Sequence, residues 1–437
     1  MFSKIAGTVG TRVVGALLTL AIAVLNARLL GAANVGTIYL ITLSVTLIQL
    51  FSNFIGGSAM IYMTPRAGFM KLFLTGYSWS LVITLLSTSM FGLLGILWPA
   101  LEVIPKGWFP EILCLALLMS FASVNLMLIL GKENVRMFNV LSLLQMILLL
   151  ALLLFLAVSL GIRSAFAYYW GMLLSYFVIW ILSFIPLRKF LVREELAGIG
   201  QVFYSMLRFG SYAQFANIFQ LMNYRIGFWL VDFWYGRAKL GVMGLGFSIS
   251  EGLWIVGRSM AMVQFTRISN AMDFRYSVNL TLLLSKITVI LTFLGVLVLL
   301  LLPETFFTWI FGDAFSGIGR VILFLAPGIV ALSFSMILSH FFSGVNMPYH
   351  NTISSLIGLA FSVILGLILV PRFGIVGASA AASVSYSVST IYQTVFFLKV
   401  SGARLRDLAV TRQDVNLAKD VWKNLVSGTG QESVHKD

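Results

Sequence analysis

Charge is scarce in this sequence. Only 10% of its 437 residues are Asp, Glu, Lys or Arg, against about a quarter in a soluble domain, which excludes a water-solvated globule. Cysteine occurs once, as Cys114, so no internal disulfide is possible and the redox compartment goes unreported. The three histidines, His340, His350 and His435, are scattered without a second ligand at metal spacing, and no metal site is expected. No phosphate loop or nucleophilic triad occurs, so no ATP motor is encoded. Acids are rarer than bases, 15 against 29. The resulting +14 would suggest nucleic acid in a soluble protein, but the bases gather in connections on one side, and no nucleic-acid partner is expected.

What fills the chain instead is apolar sequence. About a dozen segments approach the roughly 20 residues that a membrane span requires. They run near Val9–Leu30, Val35–Gly57, Leu72–Trp98, Phe109–Gly131, Met137–Leu160 and Ser164–Pro186, then Leu207–Val231, Leu240–Met262, Leu280–Leu302, Val321–Gly344, Asn351–Val370 and Ile375–Val400. The first follows a short basic start (Lys4, Arg12) with no small-residue cleavage pattern, and reads as a retained span. With the N-terminus in the cytoplasm, the inner loops collect Arg66, Lys71, Lys132, Arg136, Arg188, Lys189 and others, about twice as many bases as the outer loops. That bias predicts both termini inside and an even number of spans. The tail carries Val415, Leu417, Val421, Trp422 and Leu425, which fit either a short amphipathic helix on the inner leaflet or a solvated terminus.

Local matches align the two halves. Gly31-Ala-Ala-Asn-Val-Gly36 recurs as Gly236-Arg-Ala-Lys-Leu-Gly241, the turn Gly131-Lys-Glu-Asn134 as Gly344-Val-Asn346, and Ser175-Tyr176 as Ser385-Tyr386. Six spans per half is an even number, so both halves enter the membrane in the same sense and an axis along the membrane normal relates them. The expected fold is an all-α polytopic membrane protein, about twelve transmembrane helices in two pseudo-symmetric six-helix bundles around a central cleft. The expected organisation is a first lobe with the start of a linker over 1–198, a second lobe over 199–400 and a cytoplasmic tail over 401–437.

Ionisable residues inside spans cost on the order of 3 kcal/mol each and call for a reason. Arg225 falls in the seventh span, Glu251 and Arg258 in the eighth, which runs the opposite way, so a positive, negative, positive ladder is expected. Guanidinium groups suit pyrophosphate because they bind its oxygens bidentately and stay protonated. The alternative is that the charges pair only to lock two helices. Glu251 could also hold a coupling proton or sodium ion. Asn217, Gln220 and Tyr224 form one stripe at i, i+3 and i+7, suited to sugar hydroxyls in a wet cleft or to gluing helices together. Arg12 could line the cytoplasmic mouth or snorkel, Arg28 reads as an interface anchor, and Trp229, Trp234 and Trp254 as sugar-stacking faces or membrane anchors. Pro327-Gly328 should kink the tenth span.

Several stretches resemble a known family. Ala27-Arg28-Leu29-Leu30-Gly31 with Gly36 and Tyr39, Asn223-Tyr224-Arg225 followed by Ser248-Ile249-Ser250-Glu251-Gly252-Leu253-Trp254, and Val370-Pro371-Arg372-Phe373-Gly374-Ile375-Val376-Gly377 are similar to polysaccharide flippases of the Wzx type. These belong to the multidrug/oligosaccharidyl-lipid/polysaccharide exporter superfamily. The resemblance implies export of an undecaprenyl-pyrophosphate-linked oligosaccharide, such as an O-antigen repeat unit, across the bacterial inner membrane, with Arg225, Arg258, Glu251, Arg12, Asn217, Gln220 and Tyr224 as candidate substrate-binding residues. Polysaccharide polymerase components are the implied downstream partners and no cofactor is implied. Lipid II flippases of the superfamily usually carry extra spans. An ion-coupled multidrug exporter is the competing reading, weakened because no acid lies within a first-lobe span. A membrane-embedded glycosyltransferase would need a sizeable polar loop, which the outer connections lack.

Overall fold

The computed structural model describes residues 2–97, 103–192, 195–270 and 273–409, apart from the side chains of 2–13, 58, 212, 213, 216, 256, 262, 263, 266, 269 and 270. Arg12 is thus placed on a helix without its side chain, and His435 and the proposed tail helix lie outside the described residues.

Among the described residues the chain is helical, with no strand. The first bundle comprises α1 (Phe2–Leu25, continued by a π turn Asn26–Leu30), α2 (Gly31–Gly56), α3 (Phe69–Leu97), α4 (Phe109–Gly131), α5 (Val135–Leu154, continued by a π turn Phe155–Ser159) and α6 (Ala165–Leu187). In the second, the helical stretch Ile199–Gly252 breaks at Gly236 (φ 76°, ψ 177°) into α7 (199–235) and the start of α8 (237–270). Then come α9 (Phe274–Leu301), α10 (Ile318–Gly344), and the stretch Tyr349–Ser401, which breaks at Gly374 into α11 (349–373) and α12 (375–401). The twelve helices form two bundles around a central cleft. A helix satisfies every interior backbone group within its own segment, which is why lipid admits it. We call the face carrying Phe2 and Ser401 proximal and the opposite face distal.

Among the described residues eight apolar stretches are long enough to cross a membrane, and two of them, Val14–Met63 and Tyr349–Ser401, each hold two crossings. The crossings outside this set are α7 and α8, interrupted by polar side chains such as Gln214, Asn217, Gln220, Arg225, Glu251 and Arg258. Helices facing lipid all round cannot carry such residues, so these two belong at an internal polar surface. The seventh helix is also longer than hydropathy indicated, starting at Ile199 and not Leu207. Its proximal extension buries Met206 among Ile55, Ala59 and Met60 of the first bundle, a packing contact that a polarity scale does not register.

The duplication extends to unusual backbone angles. Gly31 (φ 79°, ψ 168°) opens α2 as Gly236 (φ 76°, ψ 177°) opens α8. Among the described residues the non-glycine positions with positive φ are Glu133 and Asn346, at 60° and 63°, in the matched α4–α5 and α10–α11 turns. Such angles are uncommon outside glycine, so their recurrence at paired positions reflects a shared turn. Equivalent bonds close the two turns, Asn134 N–H to the Ile129 carbonyl at 3.1 Å and Met347 N–H to the Phe342 carbonyl at 2.7 Å.

Each bundle carries a buried polar knot. In the first, Trp180 Nε1 donates to Tyr77 Oη (2.9 Å), Tyr77 donates to Asn125 Oδ1 (2.9 Å) and Asn125 Nδ2 donates to Ser183 Oγ (2.8 Å), tying α3, α4 and α6 together. In the second, Ser385 Oγ donates to Asn223 Oδ1 at 2.6 Å, joining α12 to α7. On α10, the Gly328 N–H beside Pro327 donates to Ser383 Oγ of α12 (2.8 Å), so the helix passes through the proline with this amide held by a neighbour.

The bundles meet mainly along α2. At its distal end a side chain on Gly36 would strike the Arg237 carbonyl, and one on Gly241 the Ala32 carbonyl, while Tyr39 Oη and Ser248 Oγ lie 2.8 Å apart. Glycine here permits close approach of two helices, so these residues form a contact between bundles as well as a tight turn. Arg28 does more than anchor at the interface: its Nε donates to the Ile310 carbonyl (2.7 Å) of the short helix Glu304–Phe311 in the second bundle. At the proximal end Tyr62 stacks on Phe209 with centroids 4.5 Å apart, and Phe54 meets Phe215 edge-on.

Candidate functional site

The α7–α8 hairpin turns at Gly236, which brings Arg225 opposite Glu251. The guanidinium donates from both terminal nitrogens to both carboxylate oxygens, at 2.7 and 2.8 Å. The side chains are 24% and 16% exposed, and Arg225 also lies over the Phe228 ring, 5.0 Å from its centroid. A bidentate pair in a half-buried setting is among the stronger charge-assisted arrangements, and removing one partner strands the other charge.

Arg258, two turns beyond Glu251, is different. It is exposed and makes no hydrogen bond or ion pair with any described residue, and its guanidinium sits 6.0 Å from the centroid of the Trp254 ring. It lines a cavity of about 600 Å³ bounded by α7, α8, α10, α11 and α12. Asn217, Gln220 and Tyr224 line the same cavity, with Gln220 Nε2 donating to Tyr224 Oη at 2.7 Å and Asn217 Nδ2 donating to Gln214 Oε1 at 3.3 Å. Opposite them α10 presents Ser335, Ser339 and Ser343, with Asn351 and Gln393 nearby. Among the described lining residues there is no carboxylate, and Arg258 is the fixed charge there.

The anticipated ladder therefore divides. Arg225 and Glu251 close on each other outside the cavity lining, while Arg258 and the Asn217, Gln220 and Tyr224 stripe face it. The cavity belongs wholly to second-bundle helices, because proximal α7 leans on Phe54 and Tyr62 of the first bundle and leaves space behind it. Trp229 and Trp254 are buried and cannot offer a face to a sugar; Trp254 packs on Tyr224 and Tyr386, while Trp234 is exposed near the distal end. The serines of α10 recur at i, i+4 and i+8, a periodicity present in the sequence but weak as a signal, because serine is common in membrane helices. Among the described residues no three of His, Cys, Asp and Glu cluster at metal-binding range.

A solved lipid II flippase, MurJ, in an inward closed conformation superposes with a TM-score of 0.72 at 15% identity, over 99% of this chain and 94% of that one. An inward-facing multidrug resistance MATE transporter of the MOP superfamily gives 0.66 at 15% identity, over 88% of this chain and 94% of the other. The chain has the fold of these transporters. In sequence, 107 residues are 30% identical to a probable low-salt glycan biosynthesis flippase, Agl15, of Haloferax volcanii, and 98 residues are 28% identical to an uncharacterised membrane protein of Methanocaldococcus jannaschii. Those stretches cover 24% and 22% of this chain, and only about a fifth of each relative's length, 22% and 19%. No family model matches.

Proposed function

We propose that this chain is a flippase that moves an oligosaccharide, linked through pyrophosphate to a polyprenol of the undecaprenyl type, across the cytoplasmic membrane by alternating access. The observation that carries this reading is Arg258: a guanidinium unpaired among the described residues, on a cavity of hydroxyls and amides whose described walls carry no acid. The guanidinium binds the pyrophosphate, and Asn217, Gln220, Tyr224 and the α10 serines hydrogen-bond sugar hydroxyls. Arg225 enters once the cleft rearranges and Glu251 gives it up. The base-rich proximal face is cytoplasmic, as the loop charge bias favours, in the inner membrane of a bacterium. With the interior negative, outward movement of an anionic head group is favoured by about 2.3 kcal/mol per charge per 100 mV, which biases direction without a dedicated ion site. Polysaccharide polymerase components, as in O-antigen assembly, then consume the product.

The fold shared with a MATE transporter favours a second reading, an ion-coupled exporter of amphiphilic drugs. The cavity's positive character opposes it for cationic drugs, and Glu251, the acid such a mechanism would use, is held by Arg225. Proteoliposomes carrying a fluorescent polyprenyl-pyrophosphate disaccharide separate the two, with dithionite quenching reporting sidedness. Flipping should be lost in Arg258→Glu and partly kept in Arg258→Lys. Full flipping by folded Arg258→Glu protein, or drug efflux dependent on Glu251 with no lipid movement, would overturn the proposal.

A further inference from the structure

We propose that a pocket at the proximal face of the first bundle binds the phosphate head group of an anionic phospholipid from the surrounding leaflet. The inference does not rest on the transport reading, since the pocket lies in the other bundle from Arg258. Its volume is about 380 Å³, enough for a glycerophosphate but not a whole lipid. Lys132 from the end of α4 and Arg188 and Lys189 from just beyond α6 line it, with Phe190 and Asn134, and among the described residues no acid does.

These cations are crowded, and no acid among the described residues lines the pocket with them. Lys132 Nζ lies 4.7 Å and Lys189 Nζ 5.0 Å from the centroid of the same ring, Phe190, so the two ammonium groups are within about 10 Å of each other. None of the three cations makes a hydrogen bond or ion pair with a described residue. Two like charges on one aromatic ring repel at short range, and an anion between them removes the repulsion. Asn134 uses its side-chain oxygen to cap α5 at Met137 N–H (3.1 Å), which leaves its amide N–H groups to donate to such an anion.

A route for the acyl chain leads to the pocket. Trp170, Leu174, Phe177, Ile181 and Ile185 of α6 are all exposed at helical spacing, a continuous apolar stripe whose last member, Ile185, lines the pocket. A soluble anion would have no use for that stripe; a phospholipid would lay a chain along it while its phosphate sits among the bases.

The fold itself does not require the charge. In the second bundle the matching turn has a positive-φ residue at the same place, Asn346 for Glu133, and the position of Lys132 is taken by Val345, so the turn forms around an apolar side chain there. A general excess of bases on one face would not concentrate them around a cavity at one of two equivalent turns.

The test is thermal unfolding of the full chain in neutral detergent, titrated with phosphatidylglycerol, phosphatidylcholine or inorganic phosphate. Phosphatidylglycerol should raise the Tm, and the other two should not. Lys132→Val should raise the half-saturating phosphatidylglycerol concentration about fivefold, the effect of one interfacial cation, and Lys132→Val with Arg188→Gln and Lys189→Gln should abolish the shift. An undiminished shift in the triple variant, or equal stabilisation by phosphatidylcholine, would overturn the proposal, and stabilisation by inorganic phosphate alone would reassign the pocket to a soluble anion. If the triple variant does not fold, Lys132→Val decides, because Val345 already occupies that place in the homologous turn.

Discussion

The bidentate Arg225–Glu251 contact offers the sharpest separation between a helix lock and a working switch. With side chains 24% and 16% exposed, the pair is intermediate between a buried pair, whose breakage costs about 3–5 kcal/mol, and a surface pair worth about 1 kcal/mol or less. Glu251→Gln and Arg225→Gln should therefore each lower unfolding free energy by roughly 2 kcal/mol, because each leaves a partner short of its hydrogen bonds. Arg225→Met combined with Glu251→Leu removes both charges and fills similar volume, so it should cost less than the two single apolar changes together. The coupling should be about 2 kcal/mol in a double-mutant cycle. Equilibrium unfolding in mixed micelles titrated with dodecyl sulfate supplies the free energies. If the pair opens during transport, the double apolar variant should be no less stable than either single apolar variant yet inactive in flipping. Additive single effects, with coupling below about 0.5 kcal/mol, would refute the physical reasoning about the pair, and a fully active double variant would refute its role as a switch.

Asn125→Leu should destabilise the first bundle by about 1–3 kcal/mol, since it leaves the Tyr77 hydroxyl proton without its acceptor and removes the bond to Ser183 Oγ, and a fall in Tm against the wild type checks it. Gly36→Leu should force α2 from α8 at the distal face, because its side chain meets the Arg237 carbonyl; a cysteine introduced by Ser248→Cys in a Cys114→Ser background should then react faster with a membrane-impermeant thiol reagent. Arg28→Ala should loosen the same face by about 1 kcal/mol through loss of its bond to the Ile310 carbonyl, read as a smaller increase in that labelling rate.

The fold was largely readable from sequence because lipid permits few solutions. Apolar length located the crossings, and the Gly31/Gly236 and Gly131/Gly344 motifs located the duplication that the positive-φ turns reveal in three dimensions. The approach of Arg225 to Glu251 also followed from helix direction and spacing alone. Hydropathy could not indicate how α7 leans. The burial of Met206 and the stacking of Tyr62 on Phe209 depend on residues about 150 positions apart, and they place the cavity within the second bundle. The short helix Glu304–Phe311 was missed for a related reason, being too short for a span and recognisable only through Phe307 and Phe311 packing against Ala27 and Val35 of the other bundle.

The central claim is that Arg258 gives a wet cavity its affinity for a phosphorylated lipid. Asn217→Cys in Cys114→Ser protein places a thiol on the cavity wall, and its labelling by a water-soluble maleimide can be followed with and without undecaprenyl pyrophosphate. We predict rapid labelling that the lipid slows when Arg258 is present and no longer slows in Arg258→Ala. An unreactive thiol, or protection undiminished by Arg258→Ala, would contradict it.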